Sequence, residues 1–198
     1  MKPNVLKSIT VYCGSSDQIA EEYLEVAANL GRLLAERGIT LVYGAGSTGM
    51  MGTVAKAVLA GGGEVIGVMP EIFDTPHLAL RDISRYEVLP DMHTRLARMI
   101  DLADGFIALP GGYGTMDEFF QTVTWGQIGL HRKPIGLLNH KGYYNLLVEF
   151  IRHMETEGFM YTGHTSLYQV EEEAEALLAV MQGYRPPEGL AHWVDRDH

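Results

Sequence analysis

The chain has 198 residues, 46% of them hydrophobic and 20% charged, with a formal charge of −10; this length predicts one domain with a sizeable core. The negative charge speaks against nucleic acid, whose backbone needs a basic face, while a small phosphorylated ligand needs only a local positive pocket. No run of 18 apolar residues suggests a membrane-spanning helix, Met1-Lys2-Pro3-Asn4 leads straight towards a strand rather than reading as a signal peptide, and the single cysteine, Cys13, excludes an internal disulfide, so the expected location is cytoplasmic.

Residues 8–13 are apolar and predict a strand, closed by the turn Gly14-Ser15-Ser16-Asp17. An amphipathic pattern predicts a helix over about 20–37 that stops at Gly38. A second strand, 40–43, runs into Gly44-Ala45-Gly46-Ser47-Thr48-Gly49, and a helix over about 50–60 ends at Gly61-Gly62-Gly63. Residues 65–69 read as a third strand closed by Pro70, and residues 71–82 as irregular. A strand over 83–89 precedes a helix that Asp91 caps and that reaches about Ala103. Residues 106–109 form the next strand and lead into Pro110-Gly111-Gly112-Tyr113-Gly114-Thr115-Met116-Asp117-Glu118, with a helix over about 115–128. A strand is expected over 134–138, helices over 143–157 and 171–181, and an irregular tail over 183–198, outside a nucleotide-binding domain of residues 1–182. Strands alternating with helices predict an α/β fold, a doubly wound parallel sheet with helices on both faces.

In such sheets ligands bind outside the carboxyl ends of the strands. Three glycine-rich turns leave those ends: Cys13-Gly14-Ser15-Ser16, residues 44–49 and residues 111–115. Their convergence suits a mononucleotide. Glycines on a strand-to-helix turn let the backbone approach a ligand, and the amides and dipole of the helix start favour an anion. Gly111, Gly112, Gly114 and Thr115 therefore read as a phosphate cradle, although no Lys-Ser/Thr pair follows to make a Walker A loop. Glu118 lies one helical turn from that phosphate. Either it has chemistry to perform, or Thr115 and Glu118 form a capping box. Gly44, Gly46 and Gly49 match the dinucleotide fingerprint, but they follow the second predicted strand rather than the first, so they are expected to line part of a smaller site.

Arg95 stands four residues after Asp91 and Arg98 three before Asp101, spacings at which surface ion pairs are common. Arg95 also follows a strand end, on the edge that carries the glycine turns, where a guanidinium would serve a phosphate or a departing base. Arg98 is assigned to the solvated face. The eight histidines show no metal-ligand spacing, and His131, His140, His153 and His164 are expected in loops or at the surface. Cys13 and Ser15 have neither a Gly-x-Ser-x-Gly elbow nor an evident base, which speaks against a hydrolytic triad. Tyr113 and Trp125 could stack on a base, with core packing the expectation for Trp125.

Met92-His93-Thr94-Arg95, Pro110-Gly-Gly-x-Gly-Thr-x-x-Glu118 and Thr124-Trp125-Gly126-Gln127 resemble the Lonely Guy (LOG) family, cytokinin riboside 5′-monophosphate phosphoribohydrolases often mislabelled as lysine decarboxylases. The likeness runs from about Ile9 to Met181 and includes Tyr43-Gly44-x-Gly46-x-x-Gly49-Met-Met-Gly52. It implies a Rossmann-like fold, homodimers or larger homo-oligomers, no cofactor, and hydrolysis of the N-glycosidic bond of an adenosine-type nucleoside monophosphate. It implies Glu118 and Arg95 as the catalytic pair and Gly111, Gly112, Gly114 and Thr115 as the phosphate loop. Further substrate contacts are expected from Gly14, Ser15, Gly44, Gly46, Met92, Asp117 and Thr124. Phe119, Phe120, Val123 and Trp125 supply apolar surface for a dimer contact near the helices after Asp91 and Thr115. Leu96 stands where members commonly carry a lysine and His77 where many carry a glutamate, both near the substrate in the family, so they bear on which base is accepted. A decarboxylase would need a lysine bearing pyridoxal phosphate, and Lys56, Lys133 and Lys141 have no supporting context. A non-catalytic carrier of a nucleotide or of molybdenum cofactor, and a nucleotide-linked oxidoreductase, are the rival readings.

Overall fold

In the computed structural model, which describes residues 4–160 and 164–188, the described strands pair in parallel in the order β4-β3-β2-β1-β5-β6-β7. They are β1 (Ser8–Tyr12), β2 (Thr40–Tyr43), β3 (Val65–Pro70), β4 (Arg85–Leu89), β5 (Gly105–Ala108), β6 (Ile135–Leu138) and β7 (Tyr168–Glu171). Side chains alternate between the two faces of a strand, and the sequence uses both. Ile9, Val11, Ile107 and Leu109 point to one core, while Tyr12, Phe106 and Ala108 point to the other. The first core is closed by α1 (Glu21–Glu36), α2 (Gly49–Ala60) and α6 (Ala174–Gly183) through Leu30, Leu34, Val54, Val58 and Leu177. The second is closed by α3 (Met92–Leu102), α4 (Tyr113–Gln127) and α5 (Asn145–Thr156) through Leu96, Met99, Phe119 and Ile151. The doubly wound sheet is thus as expected. The chain winds outwards from β1 to the edge strand β4, returns through α3, and resumes at β5 on the other side of β1.

The start of α3 follows its sequence signal. The Asp91 carboxylate accepts from the His93 and Thr94 amides at 2.8 Å each, and the Asp91 amide donates to Thr94 Oγ1 at 3.4 Å. This reciprocal cap contributes about 1 kcal/mol and fixes where the helix begins. β7 differs from expectation. Residues 168–171 form an edge strand against β6, and the final helix starts only at Ala174. The run Glu171-Glu172-Glu173 reads locally as a helix start, whereas pairing with β6 is a long-range contact that outweighs it. The same helix ends at Gly183, residues 184–188 have no regular structure, and the rest of the expected tail lies outside the described residues.

Of residues 71–82, expected to be irregular, Glu71–Phe73 form a short 3₁₀ helix and the rest is irregular but tied down. Ser47 donates its amide to Leu78 O and Leu80 to Ala45 O, both at 2.9 Å, so this segment pairs with the turn after β2. Asp74 accepts from Arg81 and from the Tyr86 hydroxyl at 2.6 Å each, closing the segment on itself. Ala45 is held there at a φ of 59°.

Candidate active site

β1 and β5 are neighbours, yet α1 leaves towards one face of the sheet and α4 towards the other. Such a switch point opens a crevice at the carboxyl ends of the strands. Here the two outgoing loops are fastened by Gly14 N–H donating to Pro110 O at 3.2 Å, and a cleft of about 610 Å³ lies over them. That volume is ordinary for a small-molecule site. Gly14, Ser15, Gly44, Gly46, Met92, Arg95, Gly112, Gly114, Thr115 and Glu118 all line it, so the three glycine turns do converge.

Arg95 and Glu118 meet within it. α3 and α4 cover the same face of the sheet, and Arg95 Nη1 donates to Glu118 Oε1 at 2.8 Å. Arg95 Nε donates to the carbonyl of Val68 at 3.0 Å. The two residues are 6% and 8% exposed, and both border the cleft. Burial pushes the Glu118 carboxyl up from the ordinary carboxylate range; the Arg95 guanidinium opposes the shift without cancelling it, and Asp117 adds to it. The capping-box reading of Thr115 and Glu118 is corrected by this geometry. α4 starts at Tyr113, its N-cap is Gly112 with no side-chain cap, and the Glu118 carboxylate is engaged by Arg95. The surface-pair reading fails for Arg95 and holds in altered form for Arg98. Arg98 is partly buried and pairs with Glu87 at 2.9 and 3.2 Å and with Asp101 at 3.4 Å.

At the start of α4 the first amides have no intrahelical acceptor and face outwards. A Cβ added at Gly112 or Gly114 would meet no protein atom within 4 Å. Both glycines line the cleft, so their backbone is open to a ligand from that side. The Thr115 hydroxyl stands over Gly111, where a Cβ would lie 2.1 Å from its oxygen. Gly111 is thereby part of the support of the loop rather than of its lining, and its carbonyl accepts from the Tyr143 hydroxyl at 2.9 Å. Asp117 and Thr124 are on the exposed side of α4 outside the cleft, with Asp117 accepting from Gln121 at 2.9 Å. Leu96 is buried among the core residues Met99 and Ile100, and His77 is exposed, so neither lines the cleft.

Behind α4 a buried hydrogen-bond chain sets the helix's rotation. Thr122 Oγ1 donates to Glu118 O at 2.7 Å, and its oxygen receives the Tyr12 hydroxyl at 2.9 Å. Lys133 N–H donates to His131 Nδ1 at 3.2 Å, so Nε2 carries the ring proton and donates to Thr122 O at 2.9 Å. His131 does lie in a loop, before β6, and His164 opens a 3₁₀ helix, but neither is at the surface, and burial pushes the pKa of each down. His140 is partly buried and His153 exposed. Trp125 packs against the second core, as expected.

Several lining residues escaped the sequence. Met69 and Pro70 come from the end of β3 and Met51 from the first turn of α2, whereas Thr48 belongs to the expected turn 44–49. The strand end was a usable signal for the first two. Phe73 and Leu78 had none, because their segment has no period and reaches the cleft only through its pairing with residues 45–47.

A model described as possible lysine decarboxylase matches residues 51–181. The residues present do not fit that chemistry. Among the described residues no lysine lines the cleft; Lys133 Nζ donates to Ile100 O at 2.7 Å, Lys56 Nζ to Ser47 O at 3.3 Å, and Lys141 pairs with Glu22. A cytokinin riboside 5′-monophosphate phosphoribohydrolase of Arabidopsis thaliana is 44% identical over 180 residues, covering 91% of this chain and 83% of the relative. One of Rhodococcoides fascians is 42% identical over 177 residues, covering 89% of each. Among solved structures, the molybdenum cofactor carrier protein of Chlamydomonas reinhardtii superposes with a TM-score of 0.67 at 24% identity, covering 92% of this chain and 98% of that one. The molybdenum cofactor binding protein of Rippkaea orientalis gives 0.67 at 20%, covering 92% and 97%. These last two share the Rossmann-like fold. The length of the family match and the close relatives along nearly the whole chain make this protein a member of the Lonely Guy (LOG) family, to which the lysine-decarboxylase description is also attached.

Proposed function

We propose that the cleft hydrolyses the N-glycosidic bond of an adenosine-type nucleoside 5′-monophosphate, a cytokinin riboside monophosphate or AMP, to free base and ribose 5-phosphate. The observation that carries this reading is the buried Glu118 carboxylate, paired with Arg95 at 2.8 Å, on the same helix whose first turn opens into the cleft. Gly114 and Glu118 are four residues apart, about 6 Å along the helix axis. A 5′-phosphate held by the helix start brings C1′ of the ribose towards the carboxylate. As the glycosidic bond breaks, positive charge builds on the ribose as an oxocarbenium-like centre, and a carboxylate beside it lowers the barrier. Arg95 favours the ionised form of Glu118 against the effect of burial and aims the carboxylate. The helix-start amides supply the positive pocket that a chain of net charge −10 otherwise lacks.

Incubation with a panel of nucleoside monophosphates tests the activity. Free base and ribose 5-phosphate should appear in equal amounts. AMP should bind far more tightly than adenosine in calorimetry, and equal affinities would remove the phosphate cradle. Turnover also separates this reading from a non-catalytic carrier.

The protein is further proposed to act as a homodimer. Of the apolar residues named from the sequence, Phe119 is fully buried, Val123 and Trp125 are partly buried against the core, and Phe120 is the most exposed. Met92, Ile128 and Leu130 add exposed apolar surface on and beside α3 and α4. Light scattering should give twice the chain mass of 21.9 kDa; the single-chain mass at micromolar concentration would overturn the assembly.

A further inference from the structure

Arg95 reaches Glu118 across the carboxyl end of β2, where the chain carries Gly44. A Cβ at Gly44 would lie 1.9 Å from Arg95 Nη2 and 3.1 Å from its Cζ. Its other close neighbour would be Met51 Cε at 2.7 Å, the free end of a flexible side chain that can turn aside. The guanidinium has no such freedom, because Val68 O holds its Nε and Glu118 holds its Nη1. Backbone shape does not demand glycine here, since Gly44 is not among the residues with positive φ. Space does. Gly112 and Gly114, with no protein atom near a notional Cβ, present the opposite situation in the same cleft.

We propose that Gly44 is a positioning residue for the reaction: its missing side chain is the seat in which the Arg95 guanidinium lies, and through Arg95 it aims the Glu118 carboxylate. Its place in the Gly44-x-Gly46-x-x-Gly49 turn serves that ion pair rather than the binding of phosphate. The inference rests on the proposed catalytic role of Arg95 and Glu118.

A double-mutant cycle of Gly44→Ala with Arg95→Met tests it, because methionine keeps the buried stem of Arg95 but lacks the atoms that Gly44 admits. With wild-type Arg95, Gly44→Ala should lower kcat about a hundred-fold, the scale of a misplaced catalytic group. KM for AMP should stay within about three-fold, since ground-state binding is untouched. In the Arg95→Met background the same substitution should change kcat by less than about two-fold, the mark of coupling through one partner. Denaturant midpoints should follow the same pattern, with a loss beside arginine and none beside methionine. If Gly44→Ala alone does not fold, recovery of folding in the double variant supports the seat, and failure of both overturns it. A raised KM with unchanged kcat, or equal losses in both backgrounds, also overturns it. The denaturation cycle needs no turnover, so a wild-type protein that releases no base would defeat the proposed function and leave the Gly44–Arg95 packing to be judged separately.

Discussion

At Gly44, Gly49 and Gly52 an added methyl would run into protein, whereas at Gly112 and Gly114 it would meet no protein atom within 4 Å. The obstacles at the first turn are the Arg95 guanidinium, Ser16 O at 2.4 Å and Ser47 O at 2.1 Å. Both turns leave the carboxyl edge of one sheet and both border one cleft. The first turn needs glycine so that the protein can close upon itself. The second packs Gly111 under the Thr115 hydroxyl but keeps the backbone of Gly112 and Gly114 bare towards whatever enters. A glycine-rich motif alone does not distinguish these uses, and the dinucleotide fingerprint in the first turn is an instance of the internal one.

The largest effect is expected at Glu118. Glu118→Gln keeps the volume and removes the charge, so the rate of base release should fall by roughly two orders of magnitude or more, as for other groups that face developing charge. A variant that turns over at the wild-type rate would leave the second turn as a binding loop only. The pH dependence carries the same information. Glu118 must be ionised to face a cation, and burial raises its pKa, so the acid limb of kcat/KM should lie above the ordinary glutamate range. Arg95→Met removes the opposing influence and should move that limb further up. For stability the sign is the reverse of an ordinary surface carboxylate. A carboxyl whose pKa is raised by folding holds its proton more tightly when folded, so its contribution is full below the unfolded pKa and lost as pH climbs through the folded one.

Smaller effects separate the two turns directly. Gly49 has a φ of +56°, so Gly49→Ala adds left-handed strain to its clash with Ser16 O and should cost about 3 kcal/mol in denaturation. Gly114→Ala should leave stability unchanged or raise it by roughly 0.5–1 kcal/mol, the usual gain of alanine over glycine in a helix. Its effect should fall on AMP, whose affinity drops about ten-fold, the scale of one charge-assisted amide contact, while adenosine binds as before. A Gly114→Ala protein that loses stability but not AMP affinity would reverse the assignment.

The doubly wound sheet and the Asp91 cap were legible because both depend on short-range pattern: apolar runs of strand length, and an acceptor at a helix start. β7 was not, because Tyr168-Gln169-Val170-Glu171 becomes a strand only by lying beside β6. Of the site, Arg95 and Glu118 could be named from their motifs, but sequence spacing left a surface pair and a capping box open as alternatives. What decided between them is that α3 and α4 lie on the same face of the sheet, a fact of topology. The burial of His131 follows from the same cause, since its partner Thr122 is nine residues away on a helix packed against that face of the sheet. Phe73 and Leu78 were invisible for want of any period, and only the pairing of their segment with residues 45–47 brings them to the cleft.

Cys13 borders the cleft at 7% exposure, and burial, reinforced by Glu118, pushes its thiol well above the ordinary range. The reactive species of cysteine is the thiolate, so the folded chain offers an alkylating reagent almost nothing to attack. Unfolding releases one thiol per molecule, because the sequence contains no other cysteine. The protein therefore carries its own counter of open molecules, located in the cleft. A nucleotide that binds only the folded chain slows that counter in proportion to its occupancy, with no chromophore or radiolabel required.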